Sequence, residues 1–159
     1  MKPSIQLLAQ KQLIGMSETM SLVADKTGQL FRTFMPRRKE IPNLINADTF
    51  DLRVYPEDYH QAFNPAKSFT KWALAEVSKV EVIPADMGVY NLVGGQYAVF
   101  HYKGLSSDQR IFKYIFMEWL PQSDFVLADR PHFEVLGEKT KLNDPNSEEE
   151  IWIPVANKK

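Results

Sequence analysis

The second half of the chain decides the fold, because a strand, a helix and two further strands follow one another there. The strand patterns are Tyr97-Ala-Val-Phe-His-Tyr-Lys103, His132-Phe-Glu-Val-Leu136 and Glu149-Glu-Ile-Trp-Ile-Pro-Val155. Between the first and second strands, an apolar stripe from Ile111 to Leu120 precedes Pro121. That stripe predicts an amphipathic helix which Pro121 ends.

The last two strands place polar and aromatic side chains between apolar ones. Side chains of a strand alternate between the two faces of its sheet. The alternation assigns the apolar set, Phe133, Val135, Ile151, Ile153 and Val155, to the core. It assigns Glu134, Glu150 and Trp152 to the opposite face. A carboxylate beside a tryptophan on the inner side of a sheet indicates a functional site.

The first half repeats this order with a weaker pattern. Leu30-Phe-Arg-Thr-Phe-Met-Pro36 matches Ile115-Phe-Met-Glu-Trp-Leu-Pro121 as two apolar pairs before a proline. One long or broken strand is predicted at 5–20, with a bulge or bend at Gly15, and further strands are predicted at 49–55 and 69–77. Trp72 lies in the last strand of its half, as Trp152 does in its own. We therefore predict one α+β domain over 1–159, a duplicated βαββ with pseudo-two-fold symmetry and halves at about 1–80 and 92–156.

Composition excludes several classes of function. The 159 residues suit one domain, and 44% hydrophobic and 25% charged residues are typical of globular proteins. The net charge of -1 gives no general attraction to nucleic acid or to a membrane. No Cys is present, and His60, His101 and His132 have no metal-binding spacing, so we expect neither metal nor cofactor. With no signal peptide or membrane span evident, a cytoplasmic protein is expected.

A duplication of this kind predicts a cleft where the halves meet, and such clefts often bind ligands. We expect the faces of the final strands that point away from the helices to line it. Trp72 and Tyr55 would come from the first half, and Glu134, Glu150 and Trp152 from the second. Other interpretations stay open, because Glu150 ends a Glu148–Glu150 charge run typical of a solvated surface, and both tryptophans are equally typical of core.

Four segments in register resemble a known family. Gly94-Gly-Gln-Tyr-Ala-Val-Phe100, Glu118-Trp-Leu-Pro121, Pro131-His-Phe-Glu134 and the strand 149–155 resemble the GyrI-like small-molecule-binding domain, which is also the effector-binding domain of AraC-type and MerR-type multidrug-responsive regulators. The resemblance implies an antiparallel curved sheet with helices on one face and a central cleft. It also implies a buried glutamate for cationic, aromatic ligands, at Glu134, with Glu150 in the strand that supplies a second carboxylate in some members.

Those regulators carry a helix-turn-helix domain, for which these 159 residues leave no room, so direct nucleic-acid binding is not expected. Three functions compete. The first is a stand-alone module that binds lipophilic, cationic or aromatic small molecules. The second is a hydrolase of strained electrophiles, with Glu134 or Glu150 as the base. The third is a protein-binding inhibitor of DNA gyrase, which leaves a protein partner open.

A desolvated carboxylate attracts a cation or takes up a proton. Aromatic walls add cation–π attraction of roughly 0.5–2 kcal/mol for each good contact. Together these residue types favour broad affinity for lipophilic cations, and the binding module is our preferred interpretation. We expect Glu134→Gln to fold, because a pocket carboxylate without a fixed structural cation more often lowers the stability of a fold than raises it.

Overall fold

Nine strands and two helical segments make up the chain, and the computed structural model describes residues 1–159. The strands are β1 (Ser4–Leu8), β2 (Lys11–Met20), β3 (Thr49–Val54), β4 (Phe69–Val77), β5 (Gly88–Leu92), β6 (Gly95–Lys103), β7 (Phe125–Leu127), β8 (His132–Leu136) and β9 (Glu148–Asn157). Helix α1 (Thr27–Phe34) continues into a 3-10 segment (Met35–Glu40). Helix α2 (Arg110–Tyr114) continues through a π-helical segment (Ile115–Trp119) into a last turn (Leu120–Gln122).

The sheet is antiparallel, in the order β1-β6-β9-β8-β3-β4-β2-β5, and β7 adds to β9. The chain passes directly from β1 to β2, although β1 lies at one end of the order and β2 lies next to the other end. The β1–β6 pairing continues into the β2–β5 pairing without a change of register. Ser4 pairs with Val99 in the first, and Gly15 pairs with Gly88 in the second. The sheet must therefore curl until its ends approach each other. The predicted α+β fold with a curved antiparallel sheet is confirmed.

The pairing registers express the duplication. Leu52 of β3 lies opposite Trp72 of β4, and Phe133 of β8 lies opposite Trp152 of β9. Leu52 and Phe133 therefore hold equivalent positions, as do the two tryptophans. Strands β3 and β8 pair with each other at the centre of the sheet and join the halves.

Both faces of the sheet carry an apolar core. The inner face, enclosed by the curl, buries Leu13, Phe50, Leu52, Leu74, Leu92, Tyr97 and Phe133. The helix-side face has two cores. Leu30 and Phe34 of the α1 segment pack on Ile14, Ala73 and Ala75, while Ile111 and Ile115 of the α2 segment pack on Phe100, Ile151 and Ile153. The centre of the helix-side face lies between these two cores.

Local details differ from the sequence prediction. The first predicted strand is broken, after Leu8, but Gly15 is a regular member of β2 and not the site of the break. A Cβ on Gly15 would lie 1.8 Å from the Ala73 carbonyl oxygen, so glycine serves close strand contact there and not a bend. Strand β7 was not predicted. The α2 segment ends at Gln122, one residue after Pro121 and close to the predicted end.

None of the helices has the length and apolarity required to cross a membrane.

Gly15→Ala should lower the free energy of unfolding by about 2–4 kcal/mol, because the added methyl group overlaps the backbone of β4. Gly28→Ala in α1 is the matched control. Its Cβ would meet only the mobile end of Arg32, and alanine favours a helix by up to about 1 kcal/mol. Urea denaturation of both variants measures the difference. Equal stabilities would contradict the close contact between β2 and β4.

Candidate functional site

Five charged side chains meet at the centre of the helix-side face. Direct β3–β8 pairing sets Asp51 opposite Glu134, and direct β3–β4 pairing sets Arg53 opposite Lys71. Glu149 of β9 joins them, two residues before Ile151, the cross-strand partner of Glu134. We call Asp51, Arg53, Lys71, Glu134 and Glu149 the charged cluster. Except for Arg53, which is half-buried, all of its members are buried.

The shortest ion pair in the charged cluster joins the two halves of the domain. Arg53 Nη2 donates to Glu134 Oε1 at 2.9 Å, and Arg53 Nε lies 3.7 Å from Asp51 Oδ1. The guanidinium carbon lies 5.2 Å from the centre of the Phe112 ring in α2, within cation–π range. Burial opposes the charge of Arg53, yet Glu134 and Asp51 raise its pKa well above the ordinary value. Burial also raises the pKa of Glu134, and Arg53 opposes that rise.

The second cation of the cluster reaches the other helix. Lys71 Nζ lies 3.4 Å from each carboxylate oxygen of Asp51 and donates to Thr27 Oγ1, in the first turn of α1, at 2.8 Å. Burial lowers the pKa of Lys71, and Asp51 opposes the shift. The charged cluster therefore contacts α1 through Lys71 and α2 through Arg53.

Glu149 is the member with the least compensation. Its residue is 7% exposed, and its Oε2 atom has no hydrogen-bond partner. Burial, and then the nearby Glu134 carboxylate, raise its pKa to about 8. The raised pKa favours the uncharged form of Glu149, and the ion pairs of the cluster join Arg53 to Glu134 and Lys71 to Asp51.

An aromatic layer adjoins the charged cluster. His132, the cross-strand partner of Arg53, stacks on His60 with ring centres 5.2 Å apart and on Phe116 of the α2 segment at 6.0 Å. Tyr55 lies edge-on to His132 at 5.0 Å and packs on Tyr59 at 4.4 Å. Burial lowers the pKa of His132 well below the ordinary value. Because Tyr59 and His60 belong to the β3–β4 loop, that loop covers one end of the site.

The structure divides the predicted site residues between two faces. Glu134 and Tyr55 lie on the helix-side face with the charged cluster. Trp72, Trp152 and Glu150 lie on the inner face, where Trp152 stacks on Phe133 with ring centres 5.2 Å apart and its Nε1 donates to Glu150 Oε1 at 3.2 Å.

The prediction of one common cleft on the face away from the helices was therefore wrong. The β8–β9 register explains why the prediction failed. It pairs Phe133 with Trp152 and Glu134 with Ile151, so Glu134 shares a face with Ile151. The buried carboxylate of β9 next to Glu134 is Glu149, whereas the half-buried Glu150 faces the other side.

Sequence reasoning also missed Asp51, Arg53 and Lys71. A signal was present, because Asp51 and Arg53 alternate with the apolar Phe50, Leu52 and Val54 in a strand of a duplicated fold. Charged residues on one face of a central strand need partners, and Glu134 is the equivalent of Arg53 in the other half.

The expectation that Glu134 lacks a fixed cation was also wrong, since Arg53 is its partner. Among the described residues, no group of three or more His, Asp or Glu side chains has an arrangement that could hold a metal ion.

A cavity of about 490 Å³ lies beside Tyr102, Leu105 and Tyr114, and one of about 320 Å³ lies beside Val54, Tyr55 and Phe69. Neither includes the charged cluster, whose centre Arg53 and Phe112 occupy.

Comparison with known proteins gives one family and several similar structures. The model of the Cass2 family, integron-associated effector-binding proteins, matches residues 2–155. SAV2435 bound to tetraphenylphosphonium is 19% identical, with a TM-score of 0.65, covering 98% of this chain and 94% of that one. The EcmrR C-terminal domain is 12% identical, with a TM-score of 0.74, covering 99% and 98%.

A hydrolase encoded by lin2189 from Listeria innocua is 10% identical, with a TM-score of 0.61, covering 98% and 92%. At these identities the structural similarities establish the fold alone. No curated protein sequence matches the chain.

Glu149→Gln should change how stability depends on pH. The carboxyl titrates near its ordinary value of 4.5 in the unfolded chain and at about 8 in the folded one. Between these values the folded state holds more protons, so the free energy of unfolding of the wild type should fall as pH rises from about 4.5 to 8. The glutamine variant has no such proton, so its decline over this range should be smaller.

Urea unfolding between pH 5 and 8.5 measures both slopes, and Glu150→Gln on the inner face should keep the wild-type slope. The buried His132 contributes an opposite slope below its ordinary value of 6.5, but this term is common to all three proteins. Parallel curves for the wild type and Glu149→Gln would contradict the uncharged state of Glu149.

Proposed function

This chain belongs to the Cass2 family of integron-associated effector-binding proteins, and we propose that it binds a lipophilic, cationic or aromatic small molecule at the charged cluster between its helical segments. One observation carries this proposal. The protein already holds a flat organic cation there, since the Arg53 guanidinium contacts both the Glu134 carboxylate and the Phe112 ring.

The surroundings suit such a ligand. Glu134 supplies a negative charge in a desolvated position, where an ionic contact is stronger than at the surface. Phe112, Phe116, Tyr55 and His132 supply ring faces and edges within reach of the same centre. Rings attract a cation without fixing its shape, which favours a range of ligands. The structure with tetraphenylphosphonium supports the proposal, because that ligand is a lipophilic cation with aromatic groups.

Hydrolysis is the second candidate, and the similarity to the Listeria hydrolase is what favours it. The geometry is less favourable to it. A general base must approach the proton it removes to about 3 Å, directly or through one water. Glu134 is paired with Arg53, and Glu150 lies on the inner face beside Trp152. We therefore propose binding without turnover. Inhibition of DNA gyrase stays a prediction, which binding to purified gyrase would test.

Glu134→Gln should weaken binding of tetraphenylphosphonium by about 2–5 kcal/mol, because the substitution removes one partner of a desolvated charge pair. Isothermal titration calorimetry with the folded variant measures the loss. Glu150→Gln is the matched control, a half-buried carboxylate on the opposite face, and it should keep the wild-type affinity. Trp72→Phe and Trp152→Phe should keep it as well.

The same samples separate binding from hydrolysis. A hydrolase would retain affinity for its substrate in Glu134→Gln and lose product formation, which mass spectrometry of a panel of strained electrophiles would detect. Unchanged affinity and unchanged product formation in Glu134→Gln would remove Glu134 from the site.

A further inference from the structure

The Arg53 side chain occupies the position that a cationic ligand of Glu134 requires. Its guanidinium is 2.9 Å from Glu134 Oε1, 3.7 Å from Asp51 Oδ1 and 5.2 Å from the Phe112 ring centre. A carboxylate and an aromatic face are the two groups that bind an organic cation. A ligand that makes both contacts must therefore take the place of the Arg53 guanidinium.

Charge balance leads to the same result. Two ion pairs, Arg53 with Glu134 and Lys71 with Asp51, account for both cations, and burial beside Glu134 favours the uncharged form of Glu149. A monovalent cation added to this set would leave one excess positive charge away from water, which is costly. If the Arg53 guanidinium moves out into solvent as the ligand enters, the balance is restored.

The way in which Arg53 is held permits this movement. Its guanidinium contacts side chains alone among the described hydrogen bonds and ion pairs. Three other arginines donate to the backbone, and one of them is Arg37, which donates to the Ala85 carbonyl oxygen. Arg38 donates to the carbonyl oxygens of Asn46 and Asp48, and Arg130 donates to that of Gln96. Withdrawal of Arg53 leaves no carbonyl without a donor, and a ligand cation can replace its contact with Glu134. Its side chain is 17% exposed, so a route to solvent exists.

We propose that Arg53 is an internal occupant of the ligand site, which a cationic ligand displaces from Glu134 and Phe112 when it binds. This inference rests on the proposed function. Arg53 then determines how tightly a ligand must bind to occupy the site. Only the minor conformation, in which the guanidinium has moved away from Glu134, is able to bind the ligand. Affinity is reduced by the fraction of molecules in that state. Weak cations are therefore excluded, and those with enough aromatic surface bind.

Arg53→Met tests the proposal, since methionine removes the charge and keeps much of the side-chain length. We expect the variant to bind tetraphenylphosphonium at least about tenfold more tightly than the wild type does. This factor follows if about 10% or less of the wild-type molecules are in the conformation able to bind. Arg37→Met is the control for loss of one positive charge, because Arg37 pairs with Glu40 outside the cluster. It should bind as the wild type does. Calorimetry at fixed pH and salt gives all three constants.

A second measurement uses the wild type and does not depend on the folding of a variant. The Arg53 Nε–H signal in a ¹⁵N NMR spectrum should be protected from exchange in the free protein and lost when tetraphenylphosphonium saturates the site. The Arg130 Nε–H signal should stay, because Nε is buried and the guanidinium is held through Nη2 by the Gln96 carbonyl oxygen.

The outcomes separate this inference from the function on which it rests. Tighter binding by Arg53→Met supports it, including the case in which only the variant binds. Wild-type binding with equal or weaker affinity in Arg53→Met, or with a retained Arg53 signal, overturns the inference and leaves the proposed function standing. A pH dependence would also overturn the inference and leave the proposed function standing. If affinity rises with pH through about 8 and Glu149→Gln removes that rise, ionised Glu149 and not the departure of Arg53 compensates the charge of the ligand. Absence of binding in both proteins overturns the inference and the proposed function together.

Discussion

The antiparallel pairing of β3 with β8 joins the two halves, and its register decides which side chains meet beneath the helical segments. Asp51 faces Glu134 and Arg53 faces His132 across this junction. Equivalent positions of the halves thus carry unlike groups, with Arg53 in the first half and Glu134 in the second. The same pairing places Leu52 beside Phe133 in the inner core. One register therefore supplies both an apolar core on one face and a charged site on the other.

Burial of charged side chains costs free energy, and this cost explains how the members of the charged cluster are paired. An unpaired ion in the interior loses several kcal/mol of hydration, so each ion needs a partner or must become neutral. Glu134 has Arg53, and Asp51 has Lys71. Glu149 has no cation close by and takes up a proton instead. Charges arranged in this way add little stability compared with apolar packing, which is typical of a region that serves binding.

The helical segments define the borders of the site because each packs on its own core. Phe34 anchors the α1 segment on one side and Ile115 anchors the α2 segment on the other, so the central strands between them remain free for polar side chains. The β3–β4 loop then brings His60 against His132 and Phe116. Three parts of the fold thus meet at one centre, and a ligand bound there would contact strands, helix and loop together. Such a site can adapt to ligands of different shape, because ring contacts require no fixed donor geometry.

The sequence by itself determined the local structure and the architecture. The alternating patterns of β3, β4, β8 and β9, the two apolar helix stripes and the tryptophan repeat were sufficient for an α+β domain with a duplicated βαββ order, since these signals depend on neighbours along the chain. They also directed attention to Glu134. Only the tertiary structure decided which face each side chain occupies. Strand alternation fixes relative faces within one strand, but a shift of one residue in the pairing of two strands exchanges the faces between them. The β8–β9 register therefore placed Trp152 and Glu150 on the inner face and brought Glu149 to the helix side. The cationic partner of Glu134 could not be predicted from the sequence for the same reason. Arg53 lies 81 positions earlier and meets Glu134 only through the β3–β8 pairing.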